Sequence, residues 1–154
     1  KEYDISPAGL KLEITESAVI MDVPKQAALI EKLQAEGFVV EMDDFGSGYS
    51  SLNTLKDIPV DILKLDMKFM EKSKNTKRSA DIVQMVVAMA DKLGMPVIAE
   101  GVETKEQADF LGRIGCDIIQ GYYYAKPMSM EEFEQLLNKY PYRDIVQKGI
   151  GNDI

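Results

Sequence analysis

Phe38-Val39-Val40-Glu41-Met42-Asp43-Asp44, followed by Phe45-Gly46-Ser47-Gly48, is the stretch whose reading decides the fold. Its first part is apolar and β-branched, with acidic residues on alternate positions. That is the period of a strand with one apolar and one polar face. Glu41 and Asp43 share the polar face, Asp44 begins the loop, and the glycines suit a turn. Working outward, the same arrangement recurs. Residues 9–15 read as a strand with Leu10, Leu12 and Ile14 on one face and Lys11, Glu13 and Thr15 on the other. Residues 62–66 place Lys64 between Leu63 and Leu65. Residues 95–102 bring Glu100 after Pro96-Val97-Ile98-Ala99, and residues 117–122 bring Gln120 after Ile118-Ile119.

Helical patterns separate these strands. One runs over about 24–36, with Asp22 as cap, Pro24 in the first turn and Gly37 as stop. A short helix is expected over 51–56 and the longest over 79–93. Ile82, Val86, Met89, Ala90 and Leu93 would form the apolar stripe of that longest helix, and Gly94 its end. Thr104 with Gln107, and Ser129 with Glu132, have capping-box spacing. They open helices that end at Gly115 and near Tyr140, and 141–154 reads as a surface tail. Strands alternating with helices imply parallel pairing and an α/β fold. A closed (β/α)8 barrel needs ~250 residues. Five βα units therefore read either as a small open α/β sheet or as the later part of a barrel.

Composition narrows the chemistry. The chain has 154 residues, 45% of them apolar and 29% charged, enough for one domain with a real core. Its net charge of −8 repels DNA and RNA polymers. No apolar run approaches membrane-spanning length, and one cysteine makes no disulfide framework, so a reducing, cytoplasmic setting is expected, either of a free protein or of the cytoplasmic part of a membrane-bound parent. There is no histidine and a single cysteine, Cys116. Those counts exclude a Ser-His-Asp triad, a histidine general base and thiolate clusters. A metal held by this chain is held by oxygen, which favours magnesium, calcium or manganese. Cys116 reads as a small buried apolar residue.

Each strand carries a polar side chain near its C-terminal end, and in a parallel barrel those ends meet at one mouth. An isolated polar strand end is ordinarily a solvated terminus, but five in register are not explained that way. Glu13, Asp43, Asp44 and Glu100 would repel one another, and one or two bound dications would reverse that cost. The plainer alternative for Lys64 is an ion pair with Asp43 or Asp66 in a polar barrel interior. Tyr122, Tyr123 and Tyr124 offer a stacking surface for a base, although Tyr123 falls on the core-facing side.

Leu12-Glu13-Ile14-Thr15-Glu16-Ser17, Asp43 through Ser51, Lys64-Leu65-Asp66, Glu100-Gly101-Val102-Glu103-Thr104 and Gln120-Gly121-Tyr122 together resemble the EAL family of bacterial cyclic di-GMP phosphodiesterases. The resemblance covers about 9–127. It implies a TIM-like (β/α)8 barrel, of which this chain holds about the last five βα units, with 1–140 as the partial barrel domain. It implies hydrolysis of cyclic di-GMP to linear pGpG in second-messenger signalling, with two Mg2+ or Mn2+ ions per site. Glu13, Asp43, Asp44 and Glu100 would be metal ligands, with Asp43 bridging. Lys64 would orient the attacking water and offset phosphate charge, and Glu100 would bind or orient around the second metal. Gln120 and Glu103 would serve water or substrate, and Glu16, Gly46 and Gly48 would support the loop after Asp44. A homodimer through the barrel, and fused GGDEF or sensory domains, follow from the same resemblance. Ser47 stands where the family often has threonine or alanine, a mild change.

The family's Glu-Ala-Leu strand and the next strand, with its metal-binding asparagine, belong ahead of Lys1. Without them in view, an inactive receptor or scaffold that binds cyclic di-GMP is the alternative reading. The 154-residue polypeptide alone is expected to show little or no turnover of cyclic di-GMP; robust hydrolysis by it would refute that expectation.

Overall fold

The structure is a computed structural model that describes residues 6–46, 52–67, 76–116 and 118–139. Strands β1 (Lys11–Thr15), β2 (Val39–Phe45), β3 (Ile62–Asp66), β4 (Val97–Glu100) and β5 (Ile118–Ile119) form one parallel sheet in sequence order. Between them lie helices α1 (Glu16–Met21), α2 (Val23–Ala35), α3 (Leu52–Asp57), α4 (Thr76–Lys92) and α5 (Lys105–Arg113), and α6 (Met130–Lys139) follows β5. Parallel neighbours joined by helical crossovers are what the alternating pattern demands. Gly48, most of the loop after Gly46, and the tail 141–154 lie outside the described residues.

The register sorts the two faces. Leu12 pairs with Val40, Met42 with Leu63, Leu65 with Ala99, and Ala99 with Ile119. This apolar face packs on Val19, Ile30, Leu55, Val83, Val87, Ala90, Ala108 and Leu111 from the helices, and it makes the core. On the other face Glu13 pairs with Glu41, Thr15 with Asp43, Lys64 with Ile98, and Asp66 with Glu100. The fold therefore puts hydrocarbon towards the helices and ionisable groups on the opposite side of the same strands.

Local signals fix the joints. Asp22 caps α2 by accepting from Lys25 N at 3.2 Å. The Thr104–Gln107 box is formed, as is the reciprocal Ser129–Glu132 pair that opens α6. Gly37 takes φ +92 just beyond α2, a left-handed turn that favours glycine. Asp61, not singled out in the sequence, joins three elements. Its Oδ2 accepts from Val40 N at 2.8 Å and its Oδ1 from Gln34 Nε2 at 3.0 Å.

Four expectations are corrected. Helix α1 was not foreseen, because its six residues give little periodicity and Ile20 and Met21 are exposed. It forms because Thr15, the last residue of β1, also caps it, accepting from Ala18 N at 3.4 Å. Of the expected α4 stripe, Ala90 is buried and Val86 and Met89 pack against the core, but the most buried line runs through Ser79, Val83, Val87 and Ala90. Ile82 and Leu93 are exposed, since the small side chains are the ones that sit closely on the sheet. Strand β5 has two residues, because Gln120 turns at once into the loop around Gly121. Strand β2 runs on to Phe45, so Asp44 is inside the strand. Cys116 and Tyr123 do pack with the core. Among the described residues no helix is long and apolar enough to cross a membrane.

Gly121 closes β5 onto the loop after β4. Val102 N donates to Gln120 O at 3.3 Å and Tyr123 N to Val102 O at 3.0 Å. A Cβ on Gly121 would fall 2.1 Å from Val102 O, against backbone that cannot rotate away. Gly121→Ala is expected to lower stability by about 1–3 kcal/mol. Gly112→Ala, in α5 with open space around it, should be neutral or stabilising by about 0.5–1 kcal/mol. Urea denaturation of the two variants checks the contrast.

Candidate active site

Lys64 is the centre of the polar face. It emerges from the middle of β3 between Leu63 and Leu65, which anchor the strand in the core, and its own side chain is 7% exposed. Its Nζ bonds Glu13 Oε1 from β1, lies 3.2 Å from Asp43 Oδ1 of β2 and lies 2.9 Å from Glu100 Oε1 of β4. One ammonium thus gathers carboxylates from three strands. Burial pulls the Lys64 ammonium towards losing its proton, but the carboxylates of Glu13, Glu100 and Asp43 that it faces outweigh this and hold the group well above the ordinary lysine range. Lys64 is therefore charged at any physiological pH and acts there as a cation, not as a base.

The adjacent aspartates are arranged by a bulge. Met42 pairs with Leu63 and Phe45 with Leu65, so two residues of β2 oppose Lys64 alone. The extra residue is Asp44, at φ +58, a left-handed position that aspartate tolerates better than most side chains. The bulge lets Asp43 stay on the polar face, half-buried, while Asp44 is exposed beside it. Asp43 Oδ1 is buried and, although close to Lys64, accepts no hydrogen bond of good geometry from the described residues.

The loop that follows is tied from behind. Glu16, 2% exposed at the first position of α1, accepts from Gly46 N with its Oε2 at 2.9 Å. Its charge also suits the positive N-terminal end of a helix.

The structure joins Glu13, Asp43, Lys64 and Glu100. Among the described residues it places the side chains of Asp44, Glu103 and Gln120 outside that bonded set. Asp44 and Gln120 are exposed, and Glu103 lends its backbone N–H to Gln107 Oε1 at 2.8 Å. No three carboxylates among the described residues stand at metal-holding distance from one point. Lys64 shares them instead. Next to Gln120 lies a cleft of about 350 Å³ lined by Tyr122, Lys126, Pro127, Met128 and Phe133. Lys126 Nζ lies 5.9 Å from the centre of the Tyr122 ring, which is exposed, whereas Tyr123 and Tyr124 pack on the core.

The reading from sequence missed the Lys11–Glu41 pair on the same face. Glu41 is 3% exposed, with Lys11 Nζ 3.0 Å from its Oε1. An acidic residue at an interior position of a strand was the available signal.

A parallel βα sheet with carboxylates and a buried lysine on its non-helical face is the later part of a (β/α) barrel with an acidic mouth. The chain belongs to the EAL domain family, whose model matches residues 1–127. It is 39% identical over 140 residues to the cyclic di-GMP phosphodiesterase NbdA of Pseudomonas aeruginosa, covering 91% of this chain and 18% of NbdA. The phosphodiesterase of MucR from the same bacterium, solved in complex with c-di-GMP, superposes with a TM-score of 0.79 at 39% identity over 86% of this chain and 53% of that one. BlrP1 of Klebsiella pneumoniae, solved with manganese and cyclic di-GMP, superposes with a TM-score of 0.73 at 32% identity over 80% of this chain and 31% of that one. The chain thus spans about half of the MucR structure and under a fifth of NbdA.

The raised Lys64 group sets a pH signature. A group whose folded pKa is raised contributes stability that is complete below its unfolded value, 10.5, and is lost as pH climbs through the folded one. Lys64→Met is expected to lower stability by about 2 kcal/mol or more, through lost hydrogen bonds to charged groups. Its deficit against wild type should stay constant from pH 7 to about 10 and narrow only above that. Denaturant midpoints across that range check it.

Proposed function

We propose that the intact domain carrying this chain hydrolyses cyclic di-GMP to linear pGpG in bacterial signalling, using two Mg2+ or Mn2+ ions. The observation that carries this reading is Asp43: a buried carboxylate oxygen without a hydrogen bond, on a bulge beside Asp44 and among the carboxylates of Glu13 and Glu100. An all-oxygen donor set suits hard dications. Glu13, Asp43, Asp44 and Glu100 would hold them, with Asp43 shared. When bound, such ions supply an activated water and stabilise charge on the phosphate.

The chain's own groups do the rest. Lys64 keeps its proton, so it orients the water and offsets phosphate charge. Glu100 touches Lys64 and fixes its direction. Gln120 and Glu103, exposed at the mouth, contact substrate or water. Glu16, which accepts from Gly46 N, supports the loop after Asp44 together with Gly46 and Gly48. The names of NbdA and MucR support the substrate, and the manganese in BlrP1 supports the metal. MucR is named as a bifunctional cyclase and phosphodiesterase, which supports a fused GGDEF domain here too. A homodimer through the barrel and a cytoplasmic setting complete the proposal.

One observation favours a second reading. Lys64 holds the carboxylates that a metal would need, and no metal-spaced set of three stands among the described residues. A domain that stays this way binds cyclic di-GMP without cleaving it.

Asp43→Asn keeps the shape and removes a charge where two dications need it, so turnover should be lost and metal half-saturation should rise sharply. Lys64→Ala should cost ~10²–10³ in rate while sparing most metal binding. Turnover and metal titration of the full-length protein and both variants decide. Wild-type turnover by Asp43→Asn at low metal defeats the two-metal assignment. Binding of cyclic di-GMP without cleavage by the wild type, metal present, establishes the receptor reading.

A further inference from the structure

Beside the lysine-centred cluster the same face carries a second ion pair that the proposed reaction does not use. Glu13 and Glu41 are direct partners in the parallel β1–β2 register, so two carboxylates leave adjacent strands at one level. Like charges side by side on a sheet destabilise it. Glu41 is the more deeply placed, its side chain 4% exposed, and its Oε1 accepts no hydrogen bond of good geometry from the described residues. A buried carboxylate in that state is expensive unless a cation stands by. That cation is Lys11, 3.0 Å away.

The five strands contain two lysines, Lys11 and Lys64. The structure divides the work between them: Lys11 takes Glu41, and Lys64 takes Glu13, Asp43 and Glu100. The division matters because Lys64 is a long, single-headed cation whose direction is set by the charges around it. Glu41 is two residues before Asp43 on β2 and pairs with Ile62, two residues before Lys64 on β3. It is therefore the next carboxylate along the face from the cluster. Stripped of Lys11, Glu41 competes for Lys64, the other lysine on these strands.

We infer that Lys11 is a positioning residue: it neutralises Glu41, which would otherwise compete for Lys64, and so keeps the Lys64 ammonium directed at Glu13, Asp43 and Glu100. Lys11 touches none of the reacting atoms and acts through Glu41 and Lys64. The inference about the Lys64 direction rests on geometry alone; its effect on turnover rests on the function proposed above. Misplacing a group by an ångström can cost ~10² in rate, so Lys11→Met, which keeps the apolar stem, should lower kcat by about 10- to 100-fold with KM little changed.

The test uses the full-length protein labelled with ¹⁵N-lysine, without added metal or substrate, and follows the Lys64 Nζ resonance. In Lys11→Met that resonance should move. In Lys11→Met/Glu41→Gln it should return to the wild-type position, and kcat should recover with it. Glu41→Gln alone, which keeps the shape and removes the competitor, should leave the resonance in place; if Lys11→Met proves too unstable to study, Lys11→Ala and its double variant with Glu41→Gln take its place. An unmoved resonance in the Lys11 variant overturns the inference, whatever happens to turnover. So does a resonance that moves and stays moved in the double variant, since the effect then does not pass through Glu41. If the wild-type protein never cleaves cyclic di-GMP, the proposed function fails while the resonance still decides the role of Lys11.

Discussion

The ammonium of Lys64 is the interaction on which the polar half of this molecule depends. Glu13, Asp43 and Glu100 come from three strands and carry the same charge, and none would be held near the others without a cation between them. Lys64 is in turn held in place by apolar chemistry. Leu63 and Leu65, its neighbours on β3, are buried in the core on the opposite face. The alternation of a strand makes these one constraint: with the leucines seated, the lysine has to point at the carboxylates. A one-residue slip of β3 would bury the lysine among the helices and expose both leucines.

The second constraint is the bulge in β2. Without it, the strict alternation of β2 would turn Asp44 towards the helices, where an unpaired carboxylate is costly. One extra residue at positive φ removes that conflict, leaving Asp43 on the polar face and Asp44 in solvent. A left-handed aspartate is less favourable than a glycine there, so a carboxylate at this position has a cost that a glycine would avoid. That cost is understandable if the side chain has work to do at the mouth.

Much of this was legible in the sequence because it rests on strong local rules. Period-2 patterning located all five strands, and glycine, proline and capping signals located most helix ends. Alternation put Glu13 and Asp43 on polar strand faces and Lys64 between two leucines, and the common position at strand C-terminal ends brought Glu100 to them. What failed had physical causes. Helix α1 is short and made by a cap that is also a strand residue. The α4 stripe holds at Val86, Met89 and Ala90 and fails at its two ends, where packing against the sheet buries Ser79 and Val83 and leaves Ile82 and Leu93 exposed. The bulge at Asp44 depends on how β2 meets β3, and no single-strand pattern contains it. The Lys11–Glu41 pair likewise exists only once β1 and β2 are in register.

Carboxylates outnumber lysines on this face: Glu13, Glu41, Asp43, Asp44, Asp66 and Glu100 against Lys11 and Lys64. The surplus explains how a lysine-centred cluster and a metal-dependent reading fit the same residues. A phosphate diester is an anion, and a net-negative mouth on a protein of charge −8 repels it. Two lysines fixed in ion pairs do not change that sign. Dications held by the exposed and half-buried carboxylates would, and they would have the surplus charge to hold them. Glu41 is the exception that sharpens the case: it is buried, it is committed to Lys11, and it adds charge where no ligand can reach. Its lysine is what stops that charge from drawing Lys64 away from Glu13, Asp43 and Glu100.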